Sequence, residues 1–180
     1  MKRIPEETIE AARTGGAVEV ERLMEAAWSD AYRLAFSVLG DAEAAKDAAQ
    51  EACVTMYRAV GSLRSSAAFR VWLYRIVVRA AMEQQRRSVL PVAERADLNG
   101  SPDQTIDVWR ALDALPPKLR AVVVLRYFEG LNSREIASVL RVPDGTVRFR
   151  LASAMRRLRP LLSDTDERFP KAGEVRTNAI

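Results

Sequence analysis

The sequence predicts an all-α protein: two small helical domains joined by a flexible linker. Three observations carry this. Apolar residues recur at three- and four-residue spacing through most of the chain, and no segment reads convincingly as a strand. Residues Val89 to Ile106 break that periodicity with Pro91, Asn99-Gly100 and Ser101-Pro102, the composition of a linker. The net charge of +4 resolves into opposed blocks: −4 over residues 1–60, +5 over 61–90, −2 over 91–106, +6 over 107–162 and −1 from 163 onward. The expected organisation is therefore a domain over 1–88, a linker over 89–106, a second domain over 107–162 and a polar tail over 163–180.

Helical patterns run through Val18 to Leu39, Ala42 to Val60 and Ala67 to Arg87 in the first half. On the second of these, Ala45, Ala49, Ala52, Cys53, Met56 and Val60 share one side and predict core, while Asp47, Gln50, Glu51, Val54 and Arg58 point away. A solvated polar face would account for most of that set, but an apolar Val54 at its centre suits a protein partner. The third helix is expected to bury Phe69, Leu73, Ile76, Val77 and Ala80. Its outer stripe is Arg75, Arg79 and Arg86, with Tyr74 and Met82 beside it. Cations interleaved with Trp72 and Tyr74 suit a single or melting DNA strand, where phosphates meet charge and unstacked bases meet rings, although Trp72 alone equally suits a core.

The second half predicts helices over Ile106 to Ala114, Lys118 to Phe128, Ser133 to Leu140 and Asp144 to Leu162. The β-prone run Val122-Val123-Val124-Leu125 follows Pro116-Pro117 and precedes Glu129-Gly130, so it is read as a buried helix turn. Asn132 with Glu135 forms a capping box, Arg141-Val142-Pro143 makes a tight turn, and Asp144 opens the next helix where the dipole favours a carboxylate. Short helix, turn, longer helix is the helix-turn-helix pattern. On the longer helix Val147, Leu151, Ala154, Leu158 and Leu161 form the expected buried stripe. Arg148, Phe149, Ala152, Ser153 and Arg156 face outward, with Arg150 and Arg157 on the flanks. No acid lies between Thr146 and Leu162, so ion pairs one turn apart are not expected to neutralise these arginines, and an external anion is. A major groove supplies one: guanidinium groups suit guanine or phosphate, and an apolar ring suits a thymine methyl.

Composition excludes other classes. A chain 48% hydrophobic and 29% charged is globular rather than disordered. With no His and only Cys53, no Cys/His metal cage and no internal disulfide can form. The absence of a long apolar run predicts no membrane span, the acidic start predicts no signal peptide, and the expected location is cytoplasmic. There is no Gly-rich phosphate loop and no recognisable nucleophile with its base, so neither an enzyme, a cofactor nor a small-molecule substrate is expected.

Five segments in order, Asp47-Ala-Ala-Gln50-Glu51, Phe69-Arg-Val-Trp72-Leu-Tyr-Arg75-Ile, Leu115-Pro-Pro-Lys-Leu-Arg120 with Leu125-Arg-Tyr-Phe-Glu-Gly130, Glu135-Ile-Ala and Gly145-Thr-Val147, resemble the bacterial sigma-70 family, in particular its compact extracytoplasmic-function (ECF) group. The resemblance covers about residues 18 to 162. It implies a promoter-recognition subunit with a region 2 helical bundle and a region 4 helix-turn-helix. Asp47, Gln50, Glu51 and Val54 would dock on the beta-prime clamp helices of core RNA polymerase, and the C-terminal half would meet the beta flap. The loop Gly61 to Ala68, with Arg64, and the helix residues Trp72, Tyr74, Arg75, Arg79 and Arg86 would bind and melt minus-10 DNA by capturing an extruded base. Arg148, Phe149, Arg150, Ser153, Arg156 and Arg157 would read double-stranded minus-35 DNA. An anti-sigma factor is the regulator such a subunit implies. The chain departs from the common family pattern at Ala44, Lys46, Val78 and Glu83, and again at Phe149 and Ser153. Two other readings fit less of the chain: a sigma-like mimic that sequesters an anti-sigma factor without binding DNA would not need the two basic blocks, and a dimeric helix-turn-helix repressor would not need the acidic face.

Overall fold

The computed structural model describes residues 4–87 and 103–162, and every element within them is helical. The first half contains α1 (Glu6–Thr14), α2 (Ala17–Leu39), α3 (Ala42–Ala59) and α4 (Phe69–Arg87), with 3-10 turns at Val60–Ser62 and Ser66–Ala68 between the last two. The second contains α5 (Asp103–Asp113), α6 (Pro117–Val123), a π turn over Val124–Phe128, α7 (Ser133–Leu140) and α8 (Asp144–Leu158), followed by a 3-10 turn at Arg159–Leu161.

Local chemistry fixes most boundaries. Gly40 closes α2 at φ 72°, a left-handed conformation in which a side chain is strained, and donates its N–H to Phe36 O. Asp41 then caps α3 by accepting from the Ala44 N–H at 2.7 Å. In the second half Asn132 Oδ1 accepts from the Glu135 N–H at 3.0 Å, while the Glu135 carboxylate accepts from the Asn132 N–H at 2.8 Å, completing the expected capping box. Arg141, at φ 52°, makes the tight turn into α8.

The first half is a bundle in which α2, α3 and α4 pack on one another and α1 lies against α2. The expected α3 core, Ala45, Ala49, Ala52, Cys53, Met56 and Val60, is buried. Its small alanines let α2 and α4 approach closely. Sequence reading had no place for α1, which buries Ile9 and Ala12 and places Glu6 and Glu7 in its first turn. In the second half α6, α7 and α8 enclose Val122, Val123, Leu125, Leu131, Ile136, Val147 and Leu158.

Three expectations are corrected here. Leu161 is exposed, because the chain tightens into a 3-10 turn after Leu158, and Leu162 takes the buried place. Residues 118–128 do not form one regular α-helix: the π turn accommodates an extra residue, seen in Glu129 N–H bonding Val124 O at 3.1 Å. Finally, α5 starts at Asp103, inside the stretch read as linker. Linker residues 89–102 and the tail 163–180 lie outside the described residues.

The halves also touch. Helix α4 lies against α7, α2 against α6, and one buried apolar cluster runs through both.

Candidate nucleic-acid interface

Three surfaces gather the residues singled out by sequence, each on a different helix. On α3, Asp47, Gln50, Glu51, Val54 and Arg58 are all exposed, because the opposite face is consumed by the bundle. Asp47 accepts a hydrogen bond from Gln84 Nε2 of α4 at 3.0 Å, which tethers the acidic edge of this face to its neighbour. Sequence reading missed Tyr57, which is exposed three residues after Val54 and extends the apolar centre. The three-residue spacing that put Val54 after Glu51 carries directly on to it.

On α4 the expected stripe divides. Arg79 is exposed, and so is Arg64 in the loop before the helix. Arg86 faces solvent but pairs with Glu83 at 3.3 Å, so part of its charge is answered locally. Arg75 is half-buried, and its Nη2 donates to Ser138 Oγ of α7 at 2.7 Å. Trp72 is half-buried and tilts against Phe69 with ring centroids 5.9 Å apart, on the core side rather than the open side. Tyr74 contradicts its expected place beside the outer stripe: only 1% of it is accessible, and its hydroxyl donates to Glu129 Oε2. The reason is tertiary, because α7 packs against α4 and Glu129, just after the π turn, meets the Tyr74 hydroxyl. Burial, then the Glu129 carboxylate beside it, pushes the Tyr74 phenol well above its ordinary range. Asp30 of α2 is buried nearby. Burial raises its carboxyl pKa against the pull of Arg33, whose Nη2 pairs with Oδ1 at 2.5 Å, and the Glu129 charge adds to the rise.

The loop before α4 meets the N-terminal helix. Ser66 Oγ donates to Glu6 Oε1 at 2.5 Å, so an acidic helix end stands beside the segment singled out for base capture.

On α8, Arg148, Phe149, Arg156 and Arg157 are exposed, with Phe149 at 69%. Arg150 and Ser153 are half-buried, and Ser153 Oγ accepts from Arg156 Nη2 at 3.5 Å. Phe149 thus sets a large apolar ring in solvent on the same face as Arg148 and Arg156. The absence of ion pairs on this helix is corrected for one residue. Arg148 Nη1 pairs with Asp144, one turn earlier and just outside the acid-free run. The +6 of this half is also not all surface charge. Arg120 is buried, donating from Nε to Leu112 O at 2.9 Å and from Nη2 to Asp113 O at 2.8 Å, with Nη1 3.2 Å from the Asp113 carboxylate.

Among the described residues no helix is long and apolar enough to cross a membrane.

The chain matches two family models in order: sigma-70 region 2 over residues 23–89, and sigma-70, region 4 over residues 105–158. It is 38% identical over 141 residues to the ECF RNA polymerase sigma factor SigM of Mycobacterium tuberculosis, spanning 73% of this chain and 70% of that protein. It is 35% identical over 152 residues to the RNA polymerase sigma-H factor of Pseudomonas aeruginosa, spanning 69% of this chain and 78% of that one. The fold is similar to that of the sigma factor RpoE of Bartonella quintana, solved in complex with the anti-sigma factor NepR, with a TM-score of 0.66 at 21% identity over 79% of this chain and 96% of the other. Regions 2 and 4 fall on the two helical halves, and most of each relative's length is covered, so the chain belongs to the sigma-70 family of RNA polymerase sigma factors, in its extracytoplasmic-function group.

Proposed function

We propose that the chain binds core RNA polymerase and directs promoter-specific initiation, with α8 on minus-35 duplex, α4 and the loop before it on minus-10 DNA as it melts, and the exposed face of α3 on the clamp helices. The C-terminal half would contact the beta flap, and an anti-sigma factor would regulate the whole. The family is not a class of catalysts, and the chain is assigned no reaction of its own. The observation that carries this reading is the outer face of α8. Arg156, Arg157 and an exposed Phe149 stand on the second helix of a helix-turn-helix, charge and ring together, which suits phosphates and base edges in a major groove.

Strand opening provides the sharpest test. Unstacking a base costs a few kcal/mol, and cations on the displaced strand offset part of that. Arg75→Ala with Arg79→Ala should leave closed-complex binding by the holoenzyme largely intact and suppress open-complex formation. Permanganate footprinting would report this as lost thymine reactivity near minus-10, restored on a template with a pre-melted bubble. Opening equal to the parent's would remove the assignment of α4.

A further inference from the structure

We infer that Asp144 is a positioning residue for base recognition, holding Arg148 so that its guanidinium meets a guanine edge of the minus-35 duplex rather than a phosphate. This rests on α8 acting as the recognition helix. Asp144 opens that helix, and its Oδ2 accepts from Arg148 Nη1 one turn on, with the arginine side chain 68% exposed and the aspartate 34%. A free arginine on a helix surface samples many rotamers, whereas bidentate recognition of guanine N7 and O6 needs a guanidinium fork held in one plane. With Nη1 engaged, Nε and Nη2 have no partner among the described residues, and together they form a second parallel donor edge.

Charge favours the same outcome. A carboxylate against the guanidinium cancels most of its net charge, so the pair has little pull on a phosphate and the carboxylate is repelled by the backbone. The directional donor edge survives that cancellation. The other oxygen of Asp144, Oδ1, is shielded from solvent and accepts no hydrogen bond among the described residues, so Arg148 is the side-chain partner the carboxylate has there. Arg157 has no such partner among the described residues and keeps the full charge expected of a phosphate contact. Asp144 thus trades indiscriminate affinity for discrimination at one base pair.

The test is a selection with holoenzyme, carrying the full chain on bacterial core polymerase, from a duplex library randomised across the minus-35 region. Parent, Asp144→Asn, Asp144→Glu and Arg148→Ala are compared, with circular dichroism to check helix content. Asp144→Asn should reduce the guanine preference at one base pair by roughly five-fold or more. Its affinity for random-sequence duplex should hold or rise, with a steeper salt dependence. Asp144→Glu, which keeps a carboxylate one turn from the arginine, should preserve the preference, and Arg148→Ala should lose it at the same base pair. If Asp144→Asn weakens all sequences alike and lowers helix content, the carboxylate only supports the helix end and the inference fails. It also fails if Arg148→Ala loses the preference while Asp144→Asn retains it. If Arg148→Ala leaves every base preference unchanged, the assignment of α8 as reader falls instead.

Discussion

Two buried charged residues, neither on a proposed contact surface, set the clearest expectations for stability. Arg120 ties α6 to the end of α5 through two carbonyls and the Asp113 carboxylate. Truncating it removes these polar contacts and empties a buried site between the two helices, so Arg120→Ala should cost about 2–4 kcal/mol, read as a lower denaturation midpoint. Asp30 behaves in the opposite sense. Its folded-state pKa is raised above the ordinary value of 3.8, chiefly by burial. Between the two values the folded chain holds the proton more tightly than the unfolded one, so this group's contribution to stability is present at low pH and lost as pH rises through the folded pKa. Asp30→Asn should therefore raise the melting temperature at pH 7, with the gain over the parent shrinking as the buffer is taken toward about pH 4. Neither role was visible in the sequence, where Arg120 counted as a positive charge and as the end of the family-like segment from Leu115, and Asp30 as part of an acidic block. Burial of a charge depends on what folds over it, and periodicity along one helix does not contain that.

At the level of single helices, much more was legible. The α3 core and its outward face, the α7 capping box, and the turn into α8 followed from spacing and cap chemistry that operate within a few residues. Helix α1 was missed because its apolar set is small, although Pro5 followed by Glu6-Glu7 is an N-terminal signal. The π turn was missed because its extra residue leaves no mark in an apolar run, yet it matters for placement: with Gly130 at φ 68° it ends the segment and sets Glu129 beside Tyr74. The face of α3 supports a prediction that belongs to this scale. Asp47→Arg with Glu51→Arg reverses two charges on an exposed helix face without entering the core, so circular dichroism and the melting curve should change little. Affinity for core polymerase in a pull-down titration should fall by about ten-fold or more, since placing like charges across an interface costs several kcal/mol. Unchanged affinity would remove α3 as the docking face.

Across the whole molecule, the packing of the halves bears on access. The side of α4 that carries Tyr74 and Arg75 is held by Glu129 and by Ser138 of α7. If these α4 residues meet a melted strand, as proposed, then the strand and the second half compete for one surface, and the halves have to separate before minus-10 capture. Charge on the second half provides a handle that leaves the proposed DNA-reading residues untouched. Glu129→Lys removes the acceptor for the Tyr74 hydroxyl, and Ser138→Arg sets a cation against Arg75. Losing these two contacts should weaken the packed arrangement by about 1–2 kcal/mol, a factor of roughly 5–30 in the ratio of packed to separated chains. Small-angle scattering of the free double variant should show a larger radius of gyration than the parent. Its affinity for a single-stranded oligonucleotide should rise, because strand binding no longer has to displace α7. A variant that expands without binding the strand better would mean that α4 is not the strand-capturing face. One that does not expand would mean that the apolar packing of α2 on α6 and α4 on α7 holds the halves together without these polar contacts.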